Sequence, residues 1–221
     1  MEEMIYSKKL TCPVCGNKFT SMKSMDSKLR VERIDSDFLT HYRGETIPLK
    51  YSVFVCPKCG YSAVENSFDN MNTRKKQIIK DEITKKWVEK DYTKERTMQD
   101  AIMCYKLALY CGEVLQLKKV ELASICLKIA WLYRINNDEN EKRFLKLSVE
   151  LYEKSYSEEE SNMDELTLIY LIGNLYMRIG DIDQATNWMG KVISNPYIKS
   201  NPKIEKLSRE QWGIIKENRN N

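Results

Sequence analysis

Histidine is almost missing from this 221-residue chain. His41 stands alone, so a histidine-based acid–base pair is not available. There is no Gly-x-Ser-x-Gly elbow, no Gly-rich phosphate loop and no His-Glu-x-x-His frame. Acidic residues are plentiful, but they fall on polar helix faces and read as solvated charge. These absences leave enzymatic activity without support. The start, MEEMIYSKKL, has neither the apolar stretch nor the small-residue cleavage site of a secretory signal. No window approaches the ~18 uninterrupted apolar residues of a membrane span. A cytoplasmic protein is the expectation. Strong charge of one sign is lacking as well: the net charge is +4. Its mild excess lies around Arg74-Lys75-Lys76, whereas nucleic-acid binding usually shows a concentrated basic face.

Proline and glycine are scarce, and their placement divides the chain. After Pro57 the next proline is Pro196. Residues 1–70 hold the turn signals Gly16, Gly44, Pro48 and Gly60 and short alternating apolar runs such as Tyr51–Val55. This predicts a small β-rich module. About sixty residues with so few large apolar side chains make a marginal core without a staple. From Met71 to Asn221 the apolar residues recur at three- and four-residue spacing: Ile102, Tyr105, Leu109; Leu122, Ile125, Ile129, Leu132; Leu168, Leu171, Leu175. That is the period of amphipathic helices. Breaks are expected near Asp91–Glu95, Leu117–Lys119, Asn136–Asn140, Ser157–Asn162 and Ile179–Asp181, giving six or seven helices.

Seven cysteines are present, and four stand in matching frames: Cys12-Pro13-Val14-Cys15-Gly16 and Cys56-Pro57-Lys58-Cys59-Gly60. Two residues between thiolates let both sulfurs reach one ion at ~2.3 Å. Proline fixes φ in the tight turn, and glycine supplies the positive φ that lets backbone N–H groups approach the sulfurs. Cys12, Cys15, Cys56 and Cys59 are therefore the expected ligands of one structural zinc ion, with a rubredoxin-like iron centre as the alternative. Four thiolates leave zinc no open coordination position, so no catalysis is assigned to it. Forty residues separate the frames, which calls for a loop or extra hairpin between them. With four ligands complete, a fifth or replacement ligand is the one role left open for His41. Cys104, Cys111 and Cys126 sit in apolar helical stripes and read as core residues.

The segment Leu166–Tyr197 resembles a tetratricopeptide repeat. Ile172, Gly173 and Tyr176 match the first-helix pattern, Gly180-Asp181 the turn, and Ala185, Met189 and Val192 the second helix, with Pro196 following. Looser copies precede it: Ile129, Ala130 and Tyr133 with Ser148, Tyr152 and Ser155; and Ala101, Tyr105 and Ala108 behind a degenerate partner around Ile78–Trp87. The resemblance implies a right-handed helical solenoid whose first helices line a peptide-binding groove. On that basis Tyr170, Asn174, Met177 and Arg178, with Leu127, Trp131, Arg134 and Ile135, face the groove. Asn174, Arg178 and Arg134 suit carboxylate or backbone recognition. The other expectation for these residues is packing against the C-terminal helix or the metal module.

The order of parts also resembles a bacterial family catalogued as domain of unknown function 2225. The resemblance rests on the two cysteine frames, Asp35-Ser36-Asp37-Phe38, the sequence Gly44…Pro48…Tyr51, the run Val55–Tyr61 and the helices behind. It implies a bacterial cytoplasmic protein and no assigned activity. The resulting expectation is a non-catalytic protein-interaction adaptor with a protein or peptide partner. Its alternative is a nucleic-acid-binding zinc ribbon using Lys18, Lys23, Lys28, Arg30, Arg33 and Arg74–Lys80. Against that alternative, Asp26, Glu32, Asp35 and Asp37 are interspersed and stacking aromatics are sparse.

Overall fold

The computed structural model describes residues 4–158 and 163–220. Residues 159–162, within the expected break Ser157–Asn162, lie outside the described residues. Three antiparallel hairpins come first: β1 (Ile5–Thr11) with β2 (Lys18–Ser24), β3 (Val31–Ile34) with β4 (Thr40–Tyr42), and β5 (Val53–Val55) with β6 (Ser62–Val64). Eight α-helices follow among the described residues: α1 (Glu65–Phe68), α2 (Thr73–Glu82), α3 (Met98–Val114), α4 (Lys119–Ile135), α5 (Asn140–Glu158), α6 (Glu165–Ile179), α7 (Ile182–Ile193) and α8 (Pro202–Asn220). No helix among the described residues is long and apolar enough to cross a membrane.

The described chain forms two compact units. Unit 1 holds the chain up to Ile34, Thr40–Leu117 and Lys128–Glu141; unit 2 holds Asp35–Leu39, Lys118–Leu127 and the chain from Lys142 onward. The division does not fall at residue 70. Met71 packs on the core of unit 1, and Ile79 and Ile83 at α2 and its end are part of that core. Helix α3 packs on β5 and β6. Thus Ile78–Trp87 and Ala101–Ala108, expected as the weakest helical repeat, complete the strand-rich unit. The physical reason is the shortage of apolar residues in the first seventy: α2 and α3 supply the side chains that close the core.

That core gathers Phe54, Tyr61, Phe68, Ile79, Ile83 and Cys111 with the cysteine frames. Phe68 meets Phe54 edge-on at 5.5 Å and stacks on Tyr61 at 5.2 Å between ring centroids. Each such side chain contributes on the order of 1.5–3 kcal/mol by leaving water. The run Val53-Phe54-Val55 is buried throughout. The strand does not begin at Tyr51, because Pro48 starts a 3₁₀ turn over Pro48–Tyr51. Arg96 is buried and ties this region together, donating to the carbonyls of Tyr92, Lys50 and Val53 at 2.9–3.0 Å. Thr97 and Asp100 then form a capping box that opens α3.

In unit 2, α6 and α7 fold back on each other through Gly180-Asp181. Small residues stand where they meet. A Cβ on Gly173 would lie 3.2 Å from the Met189 backbone nitrogen, and Ala185 is fully buried. Asp164 caps α6 and Asp181 caps α7, each accepting from a backbone N–H three residues on. Helix α8 packs on both α6 and α7. Trp188 on α7 donates from Nε1 to Glu153 on α5 at 3.0 Å.

Candidate metal centre

Each cysteine frame is the turn of a hairpin. Cys12 and Cys15 lie between β1 and β2, and Cys56 and Cys59 between β5 and β6. The two turns are built alike. Cys12 N–H donates to Asn17 O and Gly16 N–H to Cys12 O, at 2.8 and 2.9 Å; Cys56 N–H donates to Tyr61 O and Gly60 N–H to Cys56 O, at 2.9 and 3.0 Å. Gly16 and Gly60 take φ of 73° and 75°, the left-handed region that glycine enters without steric cost.

The four sulfurs lie within 4.8 Å of one another. Cys12 Sγ is 3.6 Å from Cys59 Sγ, and Cys15 Sγ is 3.7 Å from Cys56 Sγ. A regular tetrahedron with metal–sulfur bonds of ~2.3 Å has edges of ~3.8 Å, so the donor set matches one four-coordinate ion. Cys12, Cys56 and Cys59 are buried and Cys15 is half-buried. Crowding sets the protons. Hydrogen bonds from Cys12 and Cys59 hold Cys56 far below the ordinary thiol range, as the thiolate. Its hydrogen bond to Cys56, with burial, pushes Cys12 up to about 12. Cys59 moves up as well, through its bonds to Cys12 and Cys56. A divalent cation bound among them would favour the thiolate form of its ligands. These four cysteines can hold a metal ion.

The surroundings of the two turns differ. Trp87 lies on the second, where a Cβ on Gly60 would come within 2.5 Å of its ring, and its Nε1 donates to Pro57 O at 2.7 Å. Thr84 Oγ1 donates to Cys59 O at 3.1 Å, and Cys111 Sγ approaches Gly60 O at 3.9 Å. Nothing comparable meets a Cβ on Gly16. Sequence reasoning missed these supporting residues, since Trp87 lies thirty residues past Pro57. Cys104, Cys111 and Cys126 are buried, and burial pushes both Cys104 and Cys111 up to about 11. His41 sits on β4, its Nδ1 3.4 Å from Arg33 Nη2, apart from the cysteine cluster. In the loose basic run, Lys23 pairs with Glu65 at 2.6 Å, and Lys8 pairs with the same oxygen at 2.7 Å.

The residues expected to face a groove fall in two places. On α6, Tyr170, Asn174 and Arg178 are engaged by other parts of unit 2. The Tyr170 hydroxyl donates to Ser36 O at 2.7 Å, and Asn174 Nδ2 donates to Gln211 Oε1 on α8 at 3.3 Å. Arg178 Nη2 lies 3.3 Å from Asp37 and 3.9 Å from Asp35. Burial raises the Tyr170 hydroxyl above the usual tyrosine range. Trp131 and Arg134 belong to unit 1. Trp131 is half-buried, and Arg134 Nε pairs with Glu141 at 2.6 Å.

A strand region with a cysteine cluster able to hold a metal ion, followed by a mostly helical domain, is the class of protein this fold and site define. The chain belongs to the family of uncharacterized proteins conserved in bacteria (DUF2225), whose family model matches residues 5–215. An uncharacterized protein of Borreliella burgdorferi is 26% identical to it over 168 residues, covering 66% of this chain and 59% of that protein. The chain therefore spans less than two thirds of that relative's length. No solved structure matches.

Proposed function

We propose that this protein is a non-catalytic protein-interaction adaptor of the bacterial cytoplasm. One structural zinc ion on Cys12, Cys15, Cys56 and Cys59 closes the strand-rich unit, and tetratricopeptide-like helix pairs supply the binding surface. The observation that carries this reading is on α6. Tyr170, Asn174 and Arg178 form one stripe, four residues apart, and already grip a short stretch of chain by its carbonyl and carboxylates. The close approach of α6 and α7 at Gly173 and Ala185 supports the repeat reading.

Zinc is favoured by the soft four-thiolate set and its tetrahedral spacing. Bound there, it cross-links the two hairpins and leaves no position for substrate. Elemental analysis of the purified protein tests this: one zinc per chain in a colourless preparation supports it, and a red protein with visible charge-transfer bands overturns it in favour of iron. For the adaptor role the test is affinity capture from the native cell with wild-type and Arg178→Ala baits. A protein partner recovered by the wild type and lost with Arg178→Ala supports the reading, provided zinc content and melting temperature match. Recovery indifferent to Arg178 overturns it.

A further inference from the structure

We propose that the surface of unit 2 formed by Tyr170 and Arg178 of α6 with Lys203 of α8 is a recognition site for a short acidic–aromatic peptide segment, and that Asp35-Ser36-Asp37-Phe38 is its resident, displaceable occupant. This rests on the adaptor reading above and specifies the chemistry of the partner. The occupant is held through groups that any peptide of that type would offer. Tyr170 donates to a main-chain carbonyl, that of Ser36. Arg178 faces the carboxylates of Asp35 and Asp37. The Phe38 ring lies 5.6 Å from that of Tyr170, with Lys203 of α8 over its face at 5.6 Å. One cation for the carboxylates, a second for the ring and a phenol for the backbone make a set complementary in charge and shape to Asp-x-Asp-Phe.

The grip falls short of what this set can give. Among the contacts that Tyr170, Asn174 and Arg178 make with the occupant, the Tyr170 bond is the short one. Ser36 Oγ is 3.4 Å from both Asn174 Oδ1 and Arg178 Nη2, and Asp35 is 3.9 Å from Arg178. Arg178 Nε is buried with no hydrogen-bond partner among the described residues, so the guanidinium is not used as a two-pronged donor. The loop also bends sharply: Asp35 N–H donates to Leu39 O, and Phe38 N–H to Asp35 O, at 2.8 and 2.9 Å. This forces Phe38 to φ of 73°, a conformation that bulky side chains resist. A free segment of the same chemistry escapes that bend and can bring a carboxylate squarely onto Arg178. The tethered loop wins by proximity; a partner wins by fit.

The probe is a fluorescein-labelled nonapeptide with the sequence of residues 33–41, titrated by anisotropy into the full chain. Native protein should bind it weakly. The Asp35→Asn/Asp37→Asn/Phe38→Gly variant should bind it about tenfold or more tightly, because the occupant no longer competes. Adding Arg178→Ala should remove that gain. Equal affinity for native and loop-variant protein, or indifference to Arg178, overturns the proposal. Should the loop variant fail to fold, the native chain decides. It must prefer the acidic peptide over its double Asp→Asn version, and no preference overturns the proposal. Capture of a partner that depends on Arg178, with no peptide discrimination, sinks this inference alone. Peptide discrimination without an Arg178-dependent partner sinks the adaptor reading alone.

Discussion

Gly16 and Gly60 occupy equivalent positions in the two cysteine turns, with nearly equal positive φ, yet they meet different surroundings. Replacing Gly16 by alanine brings in left-handed strain alone, on the order of 1–2 kcal/mol. Gly60→Ala adds a clash with the Trp87 ring, whose Nε1 is anchored to Pro57. Urea melts should therefore rank Gly60→Ala well below Gly16→Ala in stability, and equal losses would contradict the packing described. The four clustered cysteines differ from the other three in the same way. Cys59→Ser should cut bound metal to below about a tenth of an ion per chain and destabilise unit 1, since metal affinity here is folding energy. Cys126→Ala should leave metal content at the wild-type level while costing stability as a core truncation. Elemental analysis and thermal melting read both outcomes.

Among the elements, α6 shows most plainly how local chemistry sets a boundary. Asp164 accepts from Thr167 N–H at 3.0 Å and Thr167 Oγ1 at 2.7 Å, and from Asn201 at 3.1 Å. Hydrogen bonding from Thr167, with help from Asn201, holds the Asp164 carboxyl below the usual carboxylate range. A carboxyl lowered by folding adds stability that is full above its unfolded pKa of ~3.9 and is lost as pH falls through the lower folded value. Asp164→Ala should cost about 1 kcal/mol at pH 7, and Asp164→Asn much less, because asparagine also caps. The alanine penalty should shrink between pH 7 and pH 3, read as the difference between wild-type and variant urea midpoints. A penalty unchanged at pH 3 would show that the ionised cap is not responsible.

At the scale of the molecule, cysteine accessibility gives a direct count. Four thiols form the cluster able to hold a metal ion, and Cys104, Cys111 and Cys126 are buried. The native metal-bound protein should thus show almost no thiol reactive toward Ellman's reagent, and all seven in denaturant with chelator. Chelator alone should release the four cluster cysteines and shift Trp87 fluorescence, as Trp87 lies on the second turn. The physical cause is that the cluster is part of the core around Phe54, Tyr61 and Phe68, so losing the cross-link opens that core. Full thiol protection that persists after the metal is stripped would mean that the metal does not hold unit 1 closed.

What the sequence by itself determined is what short-range covalent geometry encodes. The Cys-Pro-x-Cys-Gly frames specify two turns because proline, glycine and a two-residue gap act within five positions. The apolar period specifies α3 to α8 because one helical face repeats every three or four residues. The helix break at Gly180-Asp181 is equally local. Only the tertiary structure decided what each face meets. Composition changes at Met71, but α2 and α3 join the strand-rich unit because that unit lacks apolar side chains of its own. Tyr170 and Arg178 were legible as polar residues on one face of a helix, while what that face meets was not. Ser36 stands 142 residues before Arg178, and no local spacing rule reaches across that distance. Such a pairing follows from the summed packing of distant elements, which sequence periodicity does not contain.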